Sequence, residues 1–120
     1  MHELSLMQSV AELAEAEANR RGAEAITRLH LRVGSLAGVD PEALRFAAEV
    51  VCSSGLLAGA HLEIEPIPAS AFCSPCQHPF AVVDGLCLCP RCGRVSAQLL
   101  QGRELELASL ELRLADGPAA

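Results

Sequence analysis

The chain has 120 residues and a formal net charge of −6, which bounds it to one ordinary domain or one small domain carrying a metal-stapled insert. About half the residues are apolar (51%), mostly Ala, Leu and Val; there is no Trp or Tyr, and Phe occurs only at Phe46, Phe72 and Phe80. Such a chain folds around an aliphatic core, and with neither a basic stripe nor stacking aromatics it is not a nucleic-acid binder.

From about Leu4 to Arg20 apolar residues recur at helical spacing, with Leu6, Val10, Leu13 and Ala14 on the stripe and Met7, Ala11 and Ala18 beside it. Acids come early and arginines late, which suits the helix dipole, and Gly22 supplies a stop. Thr27, Leu29, Leu31 and Val33 alternate with Arg28, His30 and Arg32, the period of a half-buried strand. Gly34 to Gly38 reads as a loop. Asp40-Pro41-Glu42 then offers an N-cap, a first-turn proline and a first-turn acid. The helix they open should run to roughly Cys52 and bury Leu44, Ala47, Ala48 and Val51. Gly55 and Gly59 bracket a turn. Leu62 and Ile64 alternate with His61, Glu63 and Glu65 as a second strand, which Pro66 and Pro68 end.

After a cysteine-bearing segment, Leu105 and Leu107 alternate with Glu104 and Glu106, and Leu110, Leu112 and Leu114 continue on the opposite parity. A β-bulge at Ala108-Ser109 would keep that apolar face on one side. The tail Asp116 to Ala120 reads as frayed. The order predicts an α+β fold: a three-stranded sheet with two helices on one face, interrupted by a small zinc-ribbon-like four-Cys domain. Residues 1–68 with 97–120 would form the α/β domain, and residues 69–96 the insert.

The insert carries Cys73-Ser-Pro-Cys76 and Cys89-Pro-Arg-Cys92, two Cys-x-x-Cys hooks about a dozen residues apart. Each hook aims two thiolates at one point, and the pair completes a tetrahedral four-sulfur site whose default occupant is Zn²⁺. Pro75, Pro90 and Gly93 suit the knuckles. Paired disulfides or incidental thiols are the alternative, and a four-Cys site in any case says what folds the segment rather than what the chain does. The insert is too short to hold itself by apolar burial, so the metal should supply much of its stability.

No run is apolar enough to span a membrane, and the opening Met-His-Glu-Leu-Ser-Leu has an acid where a secretory leader has basic residues. A cytoplasmic location is therefore expected, where reduced thiols favour metal over disulfide. No nucleophile–base pairing, glycine-rich phosphate loop or His-Glu-x-x-His pattern occurs, so the reading is of a binding protein and not an enzyme.

Met1-His2-Glu3 puts an imidazole, the terminal amine and the first backbone amides within chelating reach of one ion. Planar nitrogen ligands favour Ni²⁺ or Cu²⁺ over Zn²⁺, and the first N–H groups of a helix have no acceptor to lose. The plainer account is a helix start with Glu3 as its first-turn acid. The stretches Met1-His2-Glu3-Leu4-Ser5-Leu6, Val33-Gly34-Ser35-Leu36 and Val39-Asp40-Pro41-Glu42-Ala43-Leu44-Arg45-Phe46, with the paired hooks, resemble the HypA/HybF family. The similarity runs from Met1 to about Leu112. The resemblance implies a nickel metallochaperone for [NiFe]-hydrogenase maturation, with a nickel-binding α/β domain interrupted by a zinc domain. It implies Ni²⁺ as cargo on Met1, His2 and Glu3, structural Zn²⁺ on Cys73, Cys76, Cys89 and Cys92, and a HypB-type GTPase and the hydrogenase large subunit as partners.

Other residues have plainer readings. Cys87 is a thiol beyond the four and competes with Cys89, but only Cys89 makes a Cys-x-x-Cys with Cys92. Cys52 reads as a small buried hydrophobe, His78 as a spare ligand that four thiols make unnecessary, and His30 and His61 as outward strand positions. Asp40 is accounted for by helix capping, although it aligns with an acidic position that could approach the nickel. The connections at Pro66–Pro68 and Gly93–Gly102 leave a domain-swapped homodimer open. The competing functions are a zinc-stapled interaction module, or a thiol redox switch using Cys87, neither with nickel chemistry.

Overall fold

The computed structural model describes residues 3–114; Met1, His2 and residues 115–120, which include the tail expected to fray, lie outside the described residues. The elements are α1 (Glu3–Arg20), β1 (Ala23–Gly34), α2 (Pro41–Val51), a 3-10 turn (Gly55–Leu57), β2 (His61–Ile67), β3 (Ser70–Cys73), β4 (His78–Ala81), β5 (Gln98–Gln101) and β6 (Leu105–Leu114). They form two three-stranded sheets, ordered β2-β1-β6 and β4-β3-β5. The helix–strand–helix–strand–insert–strand order expected from the sequence is therefore observed. The chain divides into two compact units: one of the residues up to Leu31, Val39–Ile64 and those from Leu107 on, the other of Arg32–Gly38 and Glu65–Glu106.

In the first unit α1 packs against α2, and Met7, Ala14, Ala18, Ile26, Leu29, Leu44 and Leu57 are almost wholly buried. Each large aliphatic side chain contributes roughly 1.5–3 kcal/mol by leaving water. The inward face of α1 is Met7, Val10, Ala11, Ala14 and Ala18. That corrects the expected stripe, because Leu13 is 63% exposed. The small alanines occupy the buried positions and Leu13, the bulkier residue, is left in solvent. The helix stops as expected: Arg21 N–H donates to the carbonyls of Glu17 (3.1 Å) and Ala18 (3.2 Å), and Gly22, at φ +68°, donates to Asn19 (3.1 Å). Arg20 and Arg21 both close on Glu17, and the two guanidiniums hold its carboxyl below the usual range.

Asp40 caps α2, its Oδ1 accepting from Glu42 N–H at 3.0 Å with Pro41 in the first turn. Leu44, Ala47 and Ala48 turn inward, and Val51 is half-buried. β2 continues through Pro66 to Ile67, where the sequence suggested it would end. β2 lies at the edge of its sheet, and an edge strand tolerates a residue with no N–H to donate. Along β6, Leu105, Leu107, Leu110 and Leu112 are the half-buried leucines and Ala108 and Ser109 are both exposed, so the phase of alternation changes where expected.

The second unit is built on β3, which pairs antiparallel with β4 (Ala71↔Phe80, Cys73↔His78) and with β5 (Ala71↔Leu99, Phe72↔Gln98). The cluster behind β3 is Ala71, Cys73, Phe80 and Cys89, with Cys76 and Val82 packed on it. At its base, residues 34–36 bind the chain both where it runs toward β3 and where it leaves β5. Ser35 N–H donates to Ile67 O (3.0 Å), Ser35 Oγ accepts from Ala69 N–H (3.1 Å), and Leu36 N–H donates to Gly102 O (2.7 Å). Gly34 N–H donates to Glu104 O at 2.7 Å, and a Cβ on Gly34 would lie 2.0 Å from Gly102 O. Only glycine admits so close an approach.

Candidate metal centres

β3 ends on Cys73, and the turn after it carries Cys76 back over the strand before β4 begins at His78. Gln77 takes φ +54° to make that reversal, and its side-chain amide and backbone N–H both donate to Ser74 O. The second hook repeats the device: Gly93, at φ +74°, donates to Cys89 O (2.8 Å), and Cys89 N–H donates to Arg94 O (2.9 Å). A bridge between Leu88 and Val95 closes its base.

The four sulfurs converge, all within 4.8 Å of one another. Cys73 Sγ lies 3.6 Å from Cys92 Sγ, and Cys89 Sγ 3.9 Å from Cys76 Sγ. A tetrahedron with metal–sulfur bonds of 2.3 Å has edges of about 3.8 Å, so these separations fit Zn²⁺. Backbone N–H groups of Cys92 and Arg91 pull the Cys89 thiol down to about 6, while burial and the surrounding thiols push Cys76 up to about 12. Cys73 is also raised, the N–H of Cys76 being outweighed by burial and by Cys89 and Cys92. Cys89 thus ionises readily, and Cys73 and Cys76 need a cation to hold their charge beside it. A structural zinc ion supplies that.

The remaining thiols stay apart from this cluster. Cys87 is half-buried, and its carbonyl accepts from Ser96 N–H (2.8 Å). Cys52 caps the end of α2, donating its N–H to Ala48 O; burial first, then Glu15, raises its thiol. It is half-buried rather than fully buried, and lines a cleft with Arg45 and His61. His78 is paired with Cys73 across β3–β4 and places Nδ1 2.8 Å from Pro79 O, while its buried Nε2 has no hydrogen-bond partner among the described residues. His61 is exposed; His30 is half-buried, with Nδ1 3.4 Å from Ser109 Oγ.

Of the three expected nickel ligands, Met1 and His2 lie outside the described residues, and Glu3 is the first residue of α1. Its Oε2 accepts the backbone N–H of Asp40 at 3.1 Å. That bond joins the starts of α1 and α2, because the next N–H of α2 goes to the Asp40 side chain. The sequence accounts for Asp40 as a helix cap and carries no sign of this backbone contact. Nothing in the spacing could have shown it, since the partners are 37 residues apart.

The family model described as "Hydrogenase/urease nickel incorporation, metallochaperone, hypA" matches residues 1–112. The chain belongs to this family. A hydrogenase maturation factor HypA from Picosynechococcus sp. is 41% identical over 112 residues, spanning 93% of this chain and 99% of its own. A HypA from Chloroflexus aggregans is 42% identical, spanning 92% of this chain and 98% of its own. The solution structure of the Ni metallochaperone HypA from Helicobacter pylori is similar at a TM-score of 0.66 and 26% identity, covering 96% of this chain and 100% of that one.

The HypA match takes in the N-terminal Met-His-Glu, the Val33–Leu36 stretch and both cysteine hooks within one segment. It does not favour the interaction-module or redox-switch readings, which account for the hooks alone. The matched segment also includes the Gly34–Leu36 stretch that binds both ends of the β3–β5 unit.

Proposed function

We propose that this chain is a nickel metallochaperone that carries Ni²⁺ as cargo to the large subunit of a [NiFe] hydrogenase, working with a HypB-type GTPase in the cytoplasm. The observation that carries the reading is the family match beginning at Met1-His2-Glu3. The Met1 amine, the His2 imidazole and backbone, and the Glu3 carboxylate supply a nitrogen-rich donor set suited to Ni²⁺. Glu3 opens α1, so a backbone amide recruited as ligand there sacrifices no helical hydrogen bond. The Asp40 N–H on Glu3 Oε2 restricts the carboxylate to the side of α2. In this reading residues 1–68 with 97–120 handle nickel, residues 69–96 are the zinc domain on Cys73, Cys76, Cys89 and Cys92, and no covalent chemistry is performed.

His2→Ala tests it. The variant should lose stoichiometric Ni²⁺ in elemental analysis after dialysis, while zinc content and the far-ultraviolet spectrum stay unchanged. Undiminished nickel affinity would sink the assignment. The amine is tested separately by one extra N-terminal glycine, which should alter the nickel X-ray absorption spectrum; matching spectra would remove Met1 from the donor set. Nickel affinity should also fall as pH falls, because the imidazole and amine must shed protons to bind.

A further inference from the structure

Phe46 is one of only three phenylalanines in a chain with no Trp or Tyr, yet it is 69% exposed, more than any other large apolar residue among the described residues of the first unit. The hydrophobic core gains nothing from it. It falls in the Asp40–Phe46 stretch, whose capping role accounts for its beginning and not for its end. Val50, one turn further along α2, is 53% exposed. At 3.6 residues per turn, Glu42, Phe46, Glu49 and Val50 fall within an arc of about 100°, opposite the buried Leu44, Ala47 and Ala48. Two exposed apolar side chains are therefore flanked on one stripe by two exposed carboxylates. Glu42 and Glu49, like Glu12 and Glu15 of α1, have no ion-pair partner among the described residues, whereas Glu17, Glu24, Glu63, Glu106 and Glu111 do. Arg45, the nearest cation in sequence, is turned to the Leu62 carbonyl of β2.

We propose that this outer stripe of α2 docks a basic amphipathic helix of a nickel-accepting partner, Phe46 and Val50 meeting its apolar side chains and Glu42 and Glu49 its lysines or arginines. Charge complementarity selects that occupant: the stripe presents unpaired anions beside an exposed aromatic side chain, and aromatic residues are enriched at interfaces while complementary charges steer the partner. Its place in the fold suits transfer. Phe46 is six residues beyond Asp40, so at 1.5 Å per residue the anchor sits about 9 Å along the helix from the backbone N–H that holds Glu3. A partner seated on Phe46 would have the nickel-bearing end of α1 at its edge. The inference rests on the metallochaperone reading for the identity of the cargo, but the surface is tested without it.

The probe is a synthetic amidated 18-residue peptide of leucine and lysine at helical spacing, titrated into the zinc-loaded, nickel-free, ¹⁵N-labelled protein. The largest shift changes should fall on Glu42, Phe46, Glu49 and Val50. Phe46→Ser should weaken binding at least about tenfold. Glu42→Gln with Glu49→Gln should weaken it several-fold in low salt and hardly at all in high salt. A leucine–glutamate peptide of the same pattern should not bind. Shifts spread over the whole acidic surface, equal affinity in Phe46→Ser, or a homodimer that Phe46→Ser dissociates would each overturn the proposal. Calorimetric Ni²⁺ binding by Phe46→Ser should match that of the parent chain. Absence of nickel binding in the parent would defeat the metallochaperone reading and leave the peptide result standing.

Discussion

At the scale of the residue, two glycines of the cysteine-bearing unit show how one substitution can fail for two reasons. Gly93 is at φ +74° with nothing near the place a Cβ would occupy, so only backbone strain opposes a side chain. Gly34 is not left-handed, but its Cβ would lie 2.0 Å from Gly102 O and 2.6 Å from Arg103 N, and backbone atoms cannot rotate away. Gly93→Ala should therefore cost about 1–2 kcal/mol and keep its zinc. Gly34→Ala should cost more than the roughly 1–3 kcal/mol of ordinary overpacking, because the neighbours are main chain. Thermal unfolding of the two zinc-loaded variants checks the order; a milder loss in Gly34→Ala would show that the crossing can open. Gly93 was legible in the sequence, since it directly follows a ligand cysteine. Gly34 is legible only as the start of a loop, because its constraint is set by residues far along the chain.

The same division holds among elements. The start of α2 was legible to the residue, since its cap, first-turn proline and acid are consecutive and act locally. β3, β4 and β5 were not: four residues are too few to display a period, and these strands exist because they pair around Cys73. Pro66 shows the limit of a breaker rule, which holds for a central strand and fails at an edge. The Gly34–Leu36 strap is likewise a product of pairing, its Ser35 Oγ holding an amide 34 residues away. Ser35→Ala removes that acceptor and leaves the part-buried Ala69 N–H unsatisfied, at an expected cost of about 1–3 kcal/mol. Amide exchange at Ala69 should accelerate in the variant while that of Leu44 and Ala48, within α2, stays unchanged. Equal protection at Ala69 would mean that water or a shifted chain replaces the hydroxyl.

For the whole molecule, the contrast between the two compact units predicts how the protein responds to losing its metal. The first unit buries Met7, Val10, Ala14, Ile26, Leu29, Leu44 and Leu57, an apolar core that contains none of the four clustered cysteines. The second buries Val33, Ile67 and Ala69 near its base, but the cluster on which β3, β4 and β5 close is Ala71, Phe80 and two of the ligand sulfurs, Cys73 and Cys89, so half of that cluster is metal site. Strands of four residues in a sheet of three cannot offset chain entropy with so little apolar area. The binding free energy of the ion is then the folding free energy of that sheet. Stripping zinc with a chelator at neutral pH should collapse the amide dispersion of β3, β4 and β5. The helical far-ultraviolet signal of α1 and α2 should be largely retained, and readdition of Zn²⁺ should restore the lost resonances. Acidification should do the same as the chelator, since protons compete with the metal for the thiolates. Loss of the helical signal in step with zinc would show instead that the metal holds both units together. A sheet that stayed dispersed without metal would show that the Cys73–Cys92 geometry is held by the fold alone.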